Sequence, residues 1–284
     1  MDNKVCAIVI SYNNINECKK TITAIYHQVE HIVIVNNFST SNVSKDLESL
    51  YSHDKKIDLI FLDENYGIAY ALNRGVELAL TNNYKWVITM DQDSVASSDM
   101  ITKMIYCADN LNNQDQKNSC IFSTYNTPKD ILKPCIEIYM GITSGNLIHT
   151  SIYKKFGLYN EEFFIDSVDF EFFLRLKNKG IKFYQAPQAT MSHSLGEKKE
   201  NNKFSFLTPS YTHSPLRRYY IFRNHLYLCK LYFFKNPIYL TWKTLNITKL
   251  FLSILLLEKN KLQNIGMILT GIKHFFKGTT GAHR

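Results

Sequence analysis

The stretch ITMDQDSV, residues 88–95, sets Asp91 and Asp93 one residue apart directly behind an apolar run at 86–90. Two ionised carboxylates that close repel, so a cation, a hydrogen-bond network or open water must offset the repulsion. A hard divalent ion, Mg2+ or Mn2+, gripped by Asp91 and Asp93 would do so. It would also bridge the two phosphates of a nucleotide-sugar and neutralise a departing diphosphate. A D-x-D by itself fits a solvated loop equally well; its place behind a buried strand favours the metal. No G-x-G-x-x-G or G-x-x-x-x-G-K-[ST] occurs at the strand ends, so a dinucleotide fold or P-loop lacks its backbone cradle.

A second acidic group lies in EEFFIDSVDFEFFLRLKNKG, residues 161–180. Asp166 is expected to cap a helix with Asp169 at its third position, and Val168, Phe172 and Leu176 supply the apolar face. These acids could do no more than satisfy open helix amides. Against a wall of phenylalanines, however, Asp169 is also a carboxylate able to take a proton from a sugar hydroxyl. His193, in MSHSLG, is either a structural histidine or a neutral imidazole ligand beside the two aspartates. In SPLRRYYIFRN, residues 214–224, Arg217, Tyr220 and Arg223 suit a diphosphate, or form an ordinary basic helix face.

Positioning such groups requires strands that end together. VCAIVISY (5–12), HIVIVNN (31–37), IDLIFLD (57–63) and YKWVITM (84–90) read as strands, with helical spacing in 16–28 and 67–83. Alternation of this kind predicts an α/β fold with a mostly parallel sheet, whose ligands sit at the carboxyl ends of the strands. There the sequence places Tyr12 and Asn13, Asn37, Asn65 and Gly67, and Asp91, which we expect to hold the donor nucleotide. Beyond residue 95 the pattern loosens: a helix near 98–111, an irregular stretch around Pro128 and Pro134, strand-like 136–148, a helix within 168–179, and strands at 181–187 and 189–194. The polar segment GEKKENNK (196–203) is the expected boundary between a catalytic domain, 1–200, and a helical segment, 201–284.

Charge separates the same two parts. Residues 1–200 hold 20 Lys and Arg against 24 acids, whereas 201–284 hold 13 against the single Glu258. The basic segment interleaves Lys249, Lys259, Lys261 and Lys273 with Leu, Ile and Phe, and no window of it reaches the roughly 18 uncharged residues of a spanning helix. Such helices suit an anionic bilayer interface rather than nucleic acid; otherwise they pack on the catalytic domain or on a second copy in a homodimer. The N-terminal apolar run is too short for a secretory signal. Six cysteines without a C-x-x-C pair predict free thiols in a reducing compartment. The expected location is the cytoplasmic face of the cell membrane.

Seven stretches together resemble the inverting glycosyltransferases of family 2, which have the GT-A fold, and most closely the bacterial rhamnosyltransferases: VISYN, VNNFS, ENYGIAYALNRG, MDQDS, FIDSVDFEFFLR, HSLG and SPLRRYYIFRN, in that order. The resemblance implies that Asp91 and Asp93 hold metal and donor, that Tyr12, Asn37 and Asn65 contact base and ribose, and that Asp169 is the general base. It also implies a metal-side role for His193; Asp166 and Ser144 are expected to bind the acceptor. One departure stands out, Asn36-Asn37 where many members carry Asp; the family's Glu-Asp pair reads Val168-Asp169, as rhamnosyltransferases tend to show. The implied reaction moves L-rhamnose from dTDP-β-L-rhamnose to a saccharide acceptor, which the basic, apolar C-terminal segment leads us to expect to be lipid-linked. A UDP-hexose or UDP-galactofuranose donor is the alternative, with a D-x-D phosphohydrolase or a non-catalytic membrane scaffold as rivals of another class.

Overall fold

A computed structural model describes residues 4–125, 133–193, 213–258 and 260–283. The chain forms two compact units, residues 1–160 with 175–194, and residues 161–174 with 195–284.

The first unit begins with alternating strands and helices: β1 (Val5–Ser11), α1 (Ile15–Ile25), β2 (His31–Asn36), α2 (Ser41–Tyr51), β3 (Ile57–Phe61), α3 (Ile68–Thr81) and β4 (Trp86–Asp91). β1 and β2 are rich in Val and Ile and buried almost throughout, as strands covered on both faces must be. The order β3-β2-β1-β4 is parallel, and the register sets Ser11 beside Asn36 and Ile10 beside Asp91. The polar strand ends therefore share one edge, as expected.

The continuation is β5 (Ser94–Ala96), α4 (Met100–Asp109), α5 (Asn113–Lys117), β6 (Ser119–Tyr125), β7 (Ile136–Ile138), β8 (Asn146–His149), α6 (Thr150–Phe156) and, later, β9 (Lys182–His193). Strands β8, β6, β9 and β5 extend the sheet beyond β4, and β7 pairs with β9. Here antiparallel pairs dominate, so the sheet is mixed. β6 was not expected from the sequence, although it is nearly all buried, because its serines break the apolar run. Residues 136–148 form two short strands instead of one, and β9 is continuous through Pro187.

The cysteines correct a second expectation. Cys107, at the end of α4, is disulfide-bonded to Cys135, with Cα atoms 5.1 Å apart. The fold brings together two residues 28 apart in sequence, a pairing that spacing alone does not signal. Cys6, Cys18, Cys120 and Cys229 are free.

The second unit contains α7 (Val168–Lys177, counted here to Leu174), α8 (Pro215–Tyr232), α9 (Pro237–Leu257) and α10 (Lys261–Phe276). Pro215 and Pro237 sit at the helix starts, where the missing N–H costs nothing. α10 lies close on α8: a Cβ at Gly271 would fall 2.7 Å from the Tyr219 carbonyl oxygen. The division differs from the expected one at residue 200, because 161–174 group with the C-terminal helices. The expected boundary, 196–203, falls outside the described residues.

Candidate active site

In the first unit the D-x-D joins β4 to β5. Ser144, buried, accepts a hydrogen bond from the Asp91 N–H at 3.0 Å, and its hydroxyl lies 2.8 Å from that of Ser94. The Ser144 hydroxyl is thus committed beneath the aspartates, and its carbonyl accepts from Tyr125 Oη at 3.0 Å. Gln92, which sequence reasoning passed over, accepts from the Tyr12 N–H with Oε1 at 2.7 Å and donates Nε2 to the Tyr12 carbonyl at 3.0 Å. Thr21 Oγ1 donates to the Gln92 carbonyl at 2.6 Å. The only available signal was the position of Gln92 between the acids.

The neighbouring strand ends are equally cross-linked. Asn13, in the left-handed region at φ 55°, receives a hydrogen bond on Oδ1 from the Thr40 N–H at 2.9 Å, while its own N–H donates to Ser39 Oγ at 2.9 Å. Asn65 Oδ1 accepts from the Gly67 N–H at 3.0 Å and from Asn37 Nδ2 at 3.1 Å. Gly67, at φ 90° and ψ 167°, occupies backbone space essentially reserved for glycine and opens α3. Because Asn65 Oδ1 must accept from Gly67, Asn37 has to present its amide nitrogen. Among the described residues, Asn37 Oδ1 is consequently buried without a donor. Tyr12 is exposed, with its ring open for stacking.

Asp91 and Asp93 remain partly exposed. Among the described residues no group of three or more His, Cys, Asp or Glu side chains is gathered to hold a metal. The backbone of His193 pairs with Ser94, which brings that position to the end of the D-x-D; its side chain lies outside the described residues.

In the second unit the segment before α7 is held in an unusual conformation. Phe164, Asp166 and Ser167 have φ of 58°, 59° and 66°. Asn224 of α8, nearly fully buried, directs Nδ2 at the carbonyls of Phe163, Ile165 and Asp166, at 2.6, 2.7 and 2.9 Å. Its signal was faint: one amide on the buried side of a helix. Contrary to the expectation from sequence, Asp166 does not cap α7 and Asp169 is the second rather than the third residue of the helix, because the Asp166 backbone is left-handed two residues before the helix. Its carboxylate instead accepts from Arg217 Nε and Nη2 at 3.2 Å.

Asp169 lies in the first turn of α7, and its Oδ1 accepts from the Phe170 N–H at 2.8 Å. Burial pushes its carboxyl pKa up, and the Lys243 ammonium opposes that rise. Of the three residues expected on a diphosphate, only Arg217 is exposed. Arg223 is fully buried and donates to Asn224 Oδ1, Tyr219 Oη and the Gly281 carbonyl. The Tyr220 hydroxyl accepts from the His283 N–H, and its ring stacks on Phe164 at 5.0 Å. Both therefore hold the unit together.

Residues 6–155 match the family described as Glycosyl transferase family 2. Over its whole length the chain is 28% identical to the dTDP-rhamnosyl transferase RfbF of Shigella flexneri, covering 99% of that protein. A third of it, 33%, is 30% identical to a poly-beta-1,6-N-acetyl-D-glucosamine synthase of Staphylococcus aureus, covering 22% of that longer chain. Among solved structures, S. aureus TarS residues 1–349 match over 97% of this chain and 92% of that one, with TM-score 0.53 and 12% identity. GalNAc-T7, crystallised with UDP, GalNAc and Mn2+, matches over 67% of this chain and 43% of that one, with TM-score 0.56 and 11% identity. At such identities these structures establish the architecture, that of the GT-A fold. On the family match, which takes in more than half its residues, the chain is a glycosyltransferase and belongs to glycosyl transferase family 2.

Proposed function

We propose that the protein is an inverting rhamnosyltransferase that takes L-rhamnose from dTDP-β-L-rhamnose and delivers it to a saccharide acceptor as an α-L-rhamnoside. The observation that carries this reading is the end-to-end similarity to a dTDP-rhamnosyl transferase. The orphaned Asn37 Oδ1 supports a pyrimidine nucleotide, because a buried acceptor lacking a donor matches the imide N–H of thymine or uracil. Uracil has the same imide, so a UDP-hexose or UDP-galactofuranose donor is the second reading.

Asp169 takes the proton of the acceptor hydroxyl while that oxygen attacks the anomeric carbon. The new C–O bond forms opposite the departing nucleoside diphosphate, and the configuration inverts. Tyr12, Asn13, Asn37, Asn65 and Gly67 hold base and ribose, and Arg217 serves the diphosphate. Asp91 and Asp93 fit a hard divalent cation: two carboxylates on a backbone pinned by Ser144 are the donor set that Mg2+ or Mn2+ prefers. Such an ion supplies neutralisation of the diphosphate charge, and His193 is a further candidate ligand.

The acceptor is proposed to be lipid-linked, with the second unit resting on the cytoplasmic membrane face. α9 is 21 residues long and apolar enough to cross a membrane by length and composition. It nevertheless contains Lys243 and Lys249, and its exposed apolar residues Ile238, Trp242, Leu245, Leu252 and Leu256 repeat along one face. One wet apolar face with lysines suits lying in an interface.

Thermal shift with dTDP, UDP and GDP, each with and without Mn2+, tests the site. Stabilisation by dTDP above UDP is expected. No metal-dependent shift with any nucleotide would refute the D-x-D assignment. The wild type should co-sediment with phosphatidylglycerol vesicles and Trp242→Glu much less; no sedimentation of the wild type would refute membrane docking in favour of a second copy of the chain, and unchanged sedimentation of the variant would refute docking through this face.

A further inference from the structure

The inner face of α9 carries a residue that does not belong to an apolar stripe. Leu240, Ile247 and Ile254 follow one another at helical spacing, and Leu240 and Ile254 are fully buried. Lys243 interrupts them. Its Nζ lies 3.2 Å from the centroid of the Phe170 ring, one residue from Asp169. Removing an ammonium from water costs more than a cation–π contact returns. The balance has to come from neighbouring negative charge.

The charged and titratable groups facing Lys243 are few. From the α7 side they are Asp169 and Asp166, with Asp169 the stronger influence; from α8 they are Cys229 and His225. Asp166 already has the Arg217 guanidinium as its counter-charge. His225 is neutral near pH 7, since burial and Lys243 hold its pKa down at about 4. Burial pushes the thiol of Cys229 up, which keeps it uncharged. Asp169 is thus the carboxylate left to Lys243, and among the described residues Lys243 is the cation that acts on Asp169.

We propose that Lys243 is a positioning residue for the transfer reaction: its ammonium, seated over Phe170, keeps Asp169 ionised and ready to accept the proton of the acceptor hydroxyl. The inference rests on Asp169 being the base. Lys243 itself exchanges no proton, since the proton leaving the hydroxyl stays on Asp169 until products depart. Burial raises the Asp169 carboxyl and makes it the stronger base, and the fixed positive charge limits that rise. Burial in turn draws Lys243 down to about 8, a fall that Asp169 opposes, so its ammonium form still predominates at pH 7.

The test is the pH dependence of kcat/KM for the full-length protein and its Lys243→Met and Lys243→Arg variants. In Lys243→Met the acid limb should move up by about one pH unit, making the loss about tenfold greater at low pH than on the alkaline plateau. Lys243→Arg should keep the limb in place. A loss uniform across pH, with the limb unmoved, would overturn the proposal. An independent readout is acetic anhydride labelling of Lys243 against pH, followed by mass spectrometry, in wild type and Asp169→Asn. The labelling midpoint should fall when the carboxylate is removed, and an unchanged midpoint would overturn the pairing. If instead Asp169→Asn retained full transferase activity, the base assignment would be the part that fails, whatever the labelling showed.

Discussion

The side-chain amide of Gln92 closes a two-bond ring with the backbone of Tyr12, with Oε1 accepting its N–H at 2.7 Å and Nε2 donating to its carbonyl at 3.0 Å. The middle residue of the D-x-D thereby staples the end of β4 to the end of β1, and sets the aromatic ring and the acidic pair on a common footing.

Gln92→Ala should therefore loosen donor binding more than chemistry. Losing both bonds is expected to cost about 1–2 kcal/mol, read as a roughly tenfold rise in donor KM with kcat within a few-fold. Gln92→Glu keeps the acceptor, loses the donor and adds a third negative charge beside Asp91 and Asp93, so it should raise KM further. Steady-state kinetics at saturating acceptor separates the two.

Asn37 makes a sharper prediction about the base. Its Oδ1 is buried and lacks a donor because Asn65 fixes the orientation of the amide. Asn37→Ala should weaken dTDP by about 1–3 kcal/mol, since the imide N–H would lose its acceptor. Asn37→Asp restores an acceptor toward the imide but sets its second oxygen against Asn65 Oδ1, so it should recover only part of that loss. Calorimetric titration with dTDP and with dCDP, whose base carries no imide N–H, reads the difference. Wild type should favour dTDP, and Asn37→Ala should erase the preference.

How much of this could be read from residues alone differs between the units. The alternating β1–β4 half is legible because strands buried on both faces write themselves as runs of Val and Ile, and the polar residues at their ends then stand out by contrast. β6 escaped because Ser119, Ser123 and Thr124 are buried within it, so burial there is not matched by apolarity. Asp166 was mistaken for a cap because the sequence does not record that Phe164, Asp166 and Ser167 turn left-handed. That geometry depends on Asn224, some 60 positions away. Arg223 and Tyr220 look like surface ligands in a basic helix, yet the chain end, through Gly281 and His283, uses them as internal bonds. Lys243 passed as one basic residue among many, because its distinction is which side of α9 it occupies.

Asn224 carries the third prediction. With it replaced by Leu, the carbonyls of Phe163, Ile165 and Asp166 lose their shared donor, and a destabilisation of about 2–4 kcal/mol is expected. Asn224→Asp, which points a carboxylate at three carbonyl oxygens, should cost at least as much. Urea unfolding measures both. Because Asp169 lies in the first turn of the helix that this segment feeds, kcat should fall in the folded fraction while dTDP affinity holds.

Stability should also decline in mild acid through two imidazoles, one buried and one half-buried. His225 and His149 both have pKa held at about 4 in the folded state, mainly by burial, and further by Lys243 for the first and by Lys85, Lys117 and Lys154 for the second. Unfolded, each returns toward about 6.5. Between those values the unfolded chain binds the extra protons, so stability rises with pH across the window and is lost as pH falls from about 6.5 toward 4. Each imidazole should withdraw about 1–2 kcal/mol between pH 7 and pH 5, the larger share from His225, which is the more deeply buried. Urea midpoints at the two pH values give the slope. His225→Gln should flatten it, lowering stability at pH 7 through the lost bond to Thr244 while narrowing the gap between pH 7 and pH 5. An undiminished gap in that variant, and in His149→Asn, would assign the acid sensitivity to other groups.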